Sequence, residues 1–108
     1  MKTVFIPNVP TRYDAATEGR VPSIDLNPAT QFGSLVTMTK TDAPADQQVR
    51  DIKAEIDIRF QEGDYILCVG DVVLTAVAIA YVSKLFGAAT VLRWNRRAKS
   101  YDVVMVSI

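Results

Sequence analysis

The 108-residue sequence contains no histidine. That removes Ser-His-Asp hydrolysis, Cys-His nucleophiles and His-ligated zinc or haem, since each depends on an imidazole. With one cysteine, Cys68, an internal disulfide and a thiolate metal site are also excluded. Flanked by Leu67 and Val69, this thiol is expected at a buried strand position, and such sparse cysteine usage fits a reducing compartment. Net charge is missing too, because 12 Lys+Arg balance 12 Asp+Glu. The chain therefore lacks the basic bias of a dedicated nucleic-acid module. Long apolar runs are absent as well. The longest stretch, Val72 to Val82, contains Thr75 and falls short of the ~20 residues of a spanning helix. Near the start, Val4-Phe5-Ile6 is cut off by Pro7 and Asn8 before a signal-peptide core could form. A cytoplasmic protein that does not engage a membrane is expected.

What is present is apolar content of 49%, enough for one domain over 1–108 to bury a core without metals or disulfides. The balanced charge is unevenly spread. Residues 1–41 carry Lys2, Arg12, Arg20 and Lys40 against Asp14, Glu18 and Asp25, a net +1. Residues 42–71 carry eight carboxylates against Arg50, Lys53 and Arg59, a net −5, and residues 72–108 carry five cations against Asp102, a net +4. Such a two-sided molecule can self-associate or steer a charged partner.

Lys2 to Ile6 reads as a first strand. From 8 to 33 the prolines, glycines and scattered charges predict a long ordered excursion of the kind that often carries function. Within it, Asp14 to Gly19 reads as a turn between two extended pieces, and Asn27-Pro28 as an N-cap and first helical residue of one turn ending at Gly33. Ser34 to Thr39 is a second strand. Beyond Thr41, Asp42 and Pro44, Val49, Ile52, Ile56 and Phe60 form one apolar stripe of an amphipathic helix that Gln61 to Asp64 stops. Tyr65 to Val69 is a strand apolar enough to be covered on both faces. Gly70-Asp71 leads into a broadly apolar helix, Val72 to Phe86, with Ala76 and Ala80 one turn apart and Gly87 as its stop. Thr90 to Trp94 and Tyr101 to Ile108 form a hairpin with a basic tip. This order predicts an α/β fold: a small mixed sheet, in two or three layers, with a parallel β-α-β-α-β core, an N-terminal excursion and a C-terminal antiparallel hairpin.

Three stretches carry a family likeness: Phe5-Ile6-Pro7 with Val21 to Ala29, then Asp64 to Asp71, then Leu92 to Arg97 running into Tyr101. Together they resemble a family of short, uncharacterised proteins of tailed bacteriophages, over most of the chain apart from Asp46 to Phe60. The resemblance implies a phage gene product working in an infected bacterial cytoplasm. No activity is assigned to that family, so it implies no catalytic residue.

Four candidate surfaces remain. Gly70 and Asp71, at a strand-to-helix junction, mark where open α/β sheets bind ligands and where helix N–H groups hold anions, yet Asp71 is equally placed as an N-cap. Arg93, Arg96, Arg97 and Lys99, interleaved with Trp94 and Tyr101, have the chemistry of nucleic-acid contact, and a solvated hairpin tip is the plain alternative. Asp46, Asp51, Glu55 and Asp57 on the first helix could meet a basic partner or pair locally with Arg50, Lys53 and Arg59, and Asp57 with Asp64 or Asp71 has no metal-ligand spacing. Arg12, Tyr13 and Arg20 on the excursion, with Asp14 and Asp25 nearby, are residue types enriched at binding hot spots.

The sequence favours binding over catalysis, with no cofactor and no metal. A host or phage protein is the expected partner, reached through Arg12, Tyr13 and Arg20, and a homodimer is expected through the Val72 to Phe86 helix or a sheet edge. Nucleic acid at the basic hairpin is the alternative, as is a phosphate-handling enzyme at Gly70-Asp71 served by Arg12 or Lys40.

Overall fold

The computed structural model describes residues 1–40 and 42–107, so Thr41 and Ile108 lie outside the described residues. In chain order the elements are β1 (Thr3–Ile6), β2 (Thr11–Asp14), β3 (Gly19–Pro22), a 3-10 helix (Asn27–Phe32), β4 (Ser34–Thr37), α1 (Ala45–Arg59), β5 (Tyr65–Leu67), α2 (Val72–Phe86), β6 (Ala89–Asn95) and β7 (Ser100–Val106). Five strands form one sheet in the order β4-β1-β5-β6-β7, while β2 and β3 form a separate ribbon. The first four are mutually parallel and β7 runs antiparallel to β6, giving the mixed α/β fold the element order implies.

Handedness distributes the connections. From β4 to β5 and from β5 to β6 the chain steps the same way across the sheet, so right-handed crossovers put α1 and α2 on one face. From β1 to β4 it steps the other way, which sends the excursion to the opposite face. Alternation along the strands serves both layers. Phe5, Ile66 and Val91 pack against Ile52, Ile56, Phe60, Leu74, Ala78 and Val82 of the helical layer. Val4, Ile6, Leu67, Leu92 and Tyr101 point the other way, onto Ala29 with Leu26 and Phe32 of the excursion. Each fully buried Ile or Leu contributes about 1.5–3 kcal/mol relative to exposure, so both faces stabilise the sheet.

α1 follows its sequence pattern. Ile52 and Ile56 are fully buried, Val49 is partly so, and Phe60 ends the helix by turning extended while its N–H still donates to the Ile56 carbonyl at 3.1 Å. No side chain caps its start; the Pro44 carbonyl accepts from Gln48 N–H at 2.9 Å. Gln48 is buried but satisfied, donating from Nε2 to the Lys40 carbonyl at 2.9 Å.

α2 departs from the usual pattern. Its hydroxyl residues Thr75 and Ser83 are buried, with Thr75 Oγ1 donating to the Asp71 carbonyl at 2.9 Å and Ser83 Oγ to the Val106 carbonyl at 3.4 Å. Val72 and Val73 are 81% and 64% exposed, and Ala76 and Ala80 are exposed as well. The alanine that meets the core is Ala78. Gly87 closes the helix in the left-handed region, φ 88°, its N–H on the Ser83 carbonyl.

Three local expectations are corrected. Cys68 is exposed, not buried. β5 ends at Leu67; Cys68 N–H still reaches the Leu92 carbonyl at 2.9 Å, but Val69 N–H turns back to the Leu67 carbonyl, and the cysteine lines an open depression beside Val72, Ala76 and Ile79 at the start of α2. Asn27 is the first residue of the 3-10 helix and not its cap; its own N–H donates to Asp25 Oδ1 at 3.0 Å, so Asp25 forms the turn that starts the helix. β4 stops at Thr37, although Met38 N–H still reaches the Ile6 carbonyl at 2.9 Å and Thr39 Oγ1 the Pro7 carbonyl at 2.7 Å.

Candidate functional site: a groove between the excursion and the C-terminal hairpin

The β6–β7 hairpin turns through Asn95, whose Oδ1 accepts from Arg97 N–H and Ala98 N–H, both at 3.1 Å. Lys99 completes the turn in the left-handed region, φ 53°. Trp94 and Tyr101 are opposite each other in the register, ring centroids 5.0 Å apart and nearly edge-to-face at 68°. Tyr101 is buried by this contact, whereas Trp94 keeps 39% of its surface exposed.

The excursion approaches the same place from the other side. With its turn fixed by Asp25, the segment brings Ile24, Asp25 and Pro28 to face Trp94 and Tyr101, and Val69, beyond the end of β5, supplies another wall. The result is a groove of about 580 Å³ with apolar and aromatic walls, in which Arg96, Lys99 and Asp25 are the charged lining residues. It lies at the carboxyl ends of β5 and β6, the end of a parallel sheet where ligands bind. The Tyr101 phenol has its pKa raised, first by burial and then by the negative charge of Asp25, so it stays a neutral hydroxyl well into alkaline solution.

The basic hairpin and the excursion, separate candidates in the sequence, meet here through Arg96, Lys99 and Asp25, whereas Arg12, Tyr13 and Arg20 do not line the groove. Arg96 and Lys99 line the groove. Arg93 does not, since strand alternation turns it to the face opposite Trp94, where it lies 3.9 Å from Asp102. Arg97 sits at the tip. Val69, which precedes Gly70 and Asp71 at the strand-to-helix junction, lines this groove instead, and Ile24 and Pro28 join it with no signal in the sequence beyond apolar side chains within an otherwise polar excursion.

The remaining candidates fall elsewhere. Tyr13 is 61% exposed on the β2–β3 ribbon, opposite Arg20, whose guanidinium is held by Thr11 through Nε to Oγ1 and Nη2 to the carbonyl, each at 2.8 Å. Arg12 is also on the ribbon, paired with Val21. Gly70 and Asp71 lie at the switch point between β1 and β5, where the connections depart to opposite faces. There Asp71 Oδ1 accepts from Val73 N–H at 2.8 Å and Leu74 N–H at 3.1 Å, occupying helix donors an anion would use, while Asn8 Oδ1 takes the Asp71 N–H at 3.0 Å. On α1, Arg50 pairs with Asp46 at 3.3 Å and Arg59 with Glu55 at 3.2 Å. Gln47 donates to Asp51, and Tyr81 donates to Asp57. Asp64 is buried and accepts from the N–H groups of Thr3 and Gln61, so Asp57, Asp64 and Asp71 serve three separate places.

The fold defines a small mixed α/β protein whose five-stranded sheet carries α1 and α2 on one face and the excursion, with the groove beside it, on the other. The family described as Phage Pam3 gp32-like protein matches residues 2–108, and the chain belongs to that family. No curated protein and no solved structure matches the chain. Among the described residues no helix is long and apolar enough to cross a membrane.

Proposed function

We propose that this phage protein is a non-enzymatic accessory factor of the infected cell that acts by binding a host or phage protein. The groove takes an extended segment in which an apolar or aromatic side chain lies beside a carboxylate. The observation that supports this most is the half-open face of Trp94 against Ile24, Pro28 and Val69, with Arg96 and Lys99 at the same opening. An apolar anchor seated there is removed from water, and a neighbouring acidic residue pairs with the two cations. Nucleic acid fits less well. Tyr101 is buried and so unavailable for stacking, and Asp25 places a negative charge inside the groove where a phosphate would have to pass.

The test is selection of a synthetic random peptide library on the purified protein, with Trp94→Ala and the double variant Arg96→Glu, Lys99→Glu as counter-selections. The expected outcome is enrichment of sequences that join an apolar anchor to Asp or Glu and are lost with both variants. No enrichment, together with tight, steeply salt-dependent binding of single-stranded oligonucleotides, would overturn the reading in favour of nucleic acid.

A further inference from the structure

β7 is an edge strand of a kind that monomeric proteins usually protect. It runs seven residues, pairs with β6 in unbroken register from Ser100 to Val106, contains no proline, and carries one charge, Asp102, toward its hairpin end. On the excursion face of the sheet it exposes two apolar side chains, Val103 at 55% and Met105 at 71%. The opposite edge, β4, has only four residues.

A second exposed apolar surface lies on the same side of the molecule. Tyr81 of α2 reaches α1 through Asp57, whereas Ser83 reaches β7 through the Val106 carbonyl, so these two residues mark opposite flanks of the helix. Ala76 precedes Ser83 by two helical turns and so lies on the β7 flank, next to the exposed Val72 and the half-buried Ile79. One flank of the protein thus presents an unpaired strand and, in the helical layer above it, a small-residue apolar helix face.

We infer that the occupant of this flank is a second copy of the chain, joined by antiparallel pairing of β7 with β7 of the partner about a two-fold axis perpendicular to the sheet. Centred on Val104, the pairing sets Val103 opposite Met105 of the partner subunit and Met105 opposite Val103 of the partner subunit. The two exposed side chains thereby cover each other, and such mutual complementarity is what an isologous contact requires. The same axis keeps both α2 helices on one face of a continuous ten-stranded sheet and turns their Ala76 flanks toward each other. Charge selects this arrangement as well. Antiparallel pairing sends the basic tips, with Arg96, Arg97 and Lys99, to opposite ends of the interface, where parallel pairing would bring them together.

Sedimentation equilibrium of the full chain tests this. A species of twice the 11.9 kDa chain mass is expected. Val103→Lys combined with Met105→Lys sets like charges opposite each other and raises the dimer Kd about tenfold or more. Both positions are exposed, so circular dichroism stays that of the parent. In a Cys68→Ser background, Val104→Cys is expected to give a disulfide-linked dimer on mild oxidation, because directly opposed strand residues lie within about 5.5 Å at Cα, inside disulfide reach. A monomer persisting to about 0.1 mM would overturn the inference, since an interface that weak has no bearing at micromolar concentration. So would a dimer indifferent to the β7 substitutions and dissolved by Ala76→Glu alone, or a dimer that Val104→Cys fails to link.

Discussion

Asn8 and Asp71 are separated by 63 positions in the chain, yet the Asn8 carboxamide oxygen accepts the Asp71 N–H at 3.0 Å. This bond joins the chain leaving β1 to the chain leaving β5 at the point where an open α/β sheet most often holds its ligand. Here the crevice holds Asn8, and the open groove lies beyond it, at the end of β6. Gly70 makes the closure possible: at φ +78° it is in the left-handed region, and a Cβ there would overlap the Asn8 side chain and carbonyl.

Gly70→Ala is therefore expected to destabilise by about 2–4 kcal/mol, adding a steric clash to the strain of a left-handed alanine. Gly87→Ala provides the control. It has φ +88° but open space around it, so only the conformational cost of about 1–2 kcal/mol is expected. Urea denaturation of the two variants measures the difference, and equal losses would mean the Asn8 contact is not closed in solution.

Asp71→Ala removes the acceptor for Val73 and Leu74 N–H and is expected to cost about 1 kcal/mol, within the usual range for loss of an N-cap. Asp71→Ser, which keeps an acceptor at that position, is expected to restore most of it. Thermal denaturation of the pair checks the ordering.

The neutral Tyr101 makes a pH prediction. Because the folded pKa lies above the unfolded one, Tyr101 contributes stability that is fully present below the ordinary tyrosine pKa and is lost as pH rises through the raised folded value. Burial remains when Asp25 is replaced by Asn, but the nearby negative charge goes. A phenolate absorbance titration of Asp25→Asn is expected to show Tyr101 ionising at lower pH than in the parent, with Tyr101→Phe identifying its contribution.

Core and flank positions separate cleanly by energy. Ile52→Ala, at a fully buried site between α1 and the sheet, is expected to lose about 2–5 kcal/mol. Val73→Lys, on the exposed side of α2, is expected to change stability by no more than about 0.5 kcal/mol. Guanidinium denaturation of both variants tests the assignment of faces on the two helices.

Most of the fold was legible in the sequence because its period signals were strong. The Val49-Ile52-Ile56-Phe60 stripe, the continuous Tyr65 to Val69 run, of which β5 takes the first three residues, and the glycine after Phe86 each have one dominant physical reading. Cys68 misled because apolar neighbours imply burial only while the strand continues, and the backbone turn at Val69 has no side-chain signature. In α2 nearly every residue is apolar, so no periodicity could tell which flank faces outward; of the two buried hydroxyls, Thr75 is satisfied one turn back by the Asp71 carbonyl, and Ser83 by a carbonyl known only once β7 is in place. The groove was half visible. Its cations and aromatics were evident at the hairpin, but its opposing wall comes from residues some seventy positions earlier, and only right-handed crossover geometry brings them there.

The sheet order also dictates a folding schedule. β5, α2, β6 and β7 are consecutive in the chain and adjacent in the sheet, so this half can assemble from short-range contacts. β1 is different: it is synthesised well before one of its partners, β5, in which Tyr65 is set against Val4. The apolar Val4, Phe5 and Ile6 can meet β4 early but must wait for β5 until about sixty further residues have been made. Long-range parallel pairing of this kind is intrinsically slow, and until it closes the unpaired strand edge is open to aggregation in a crowded cell.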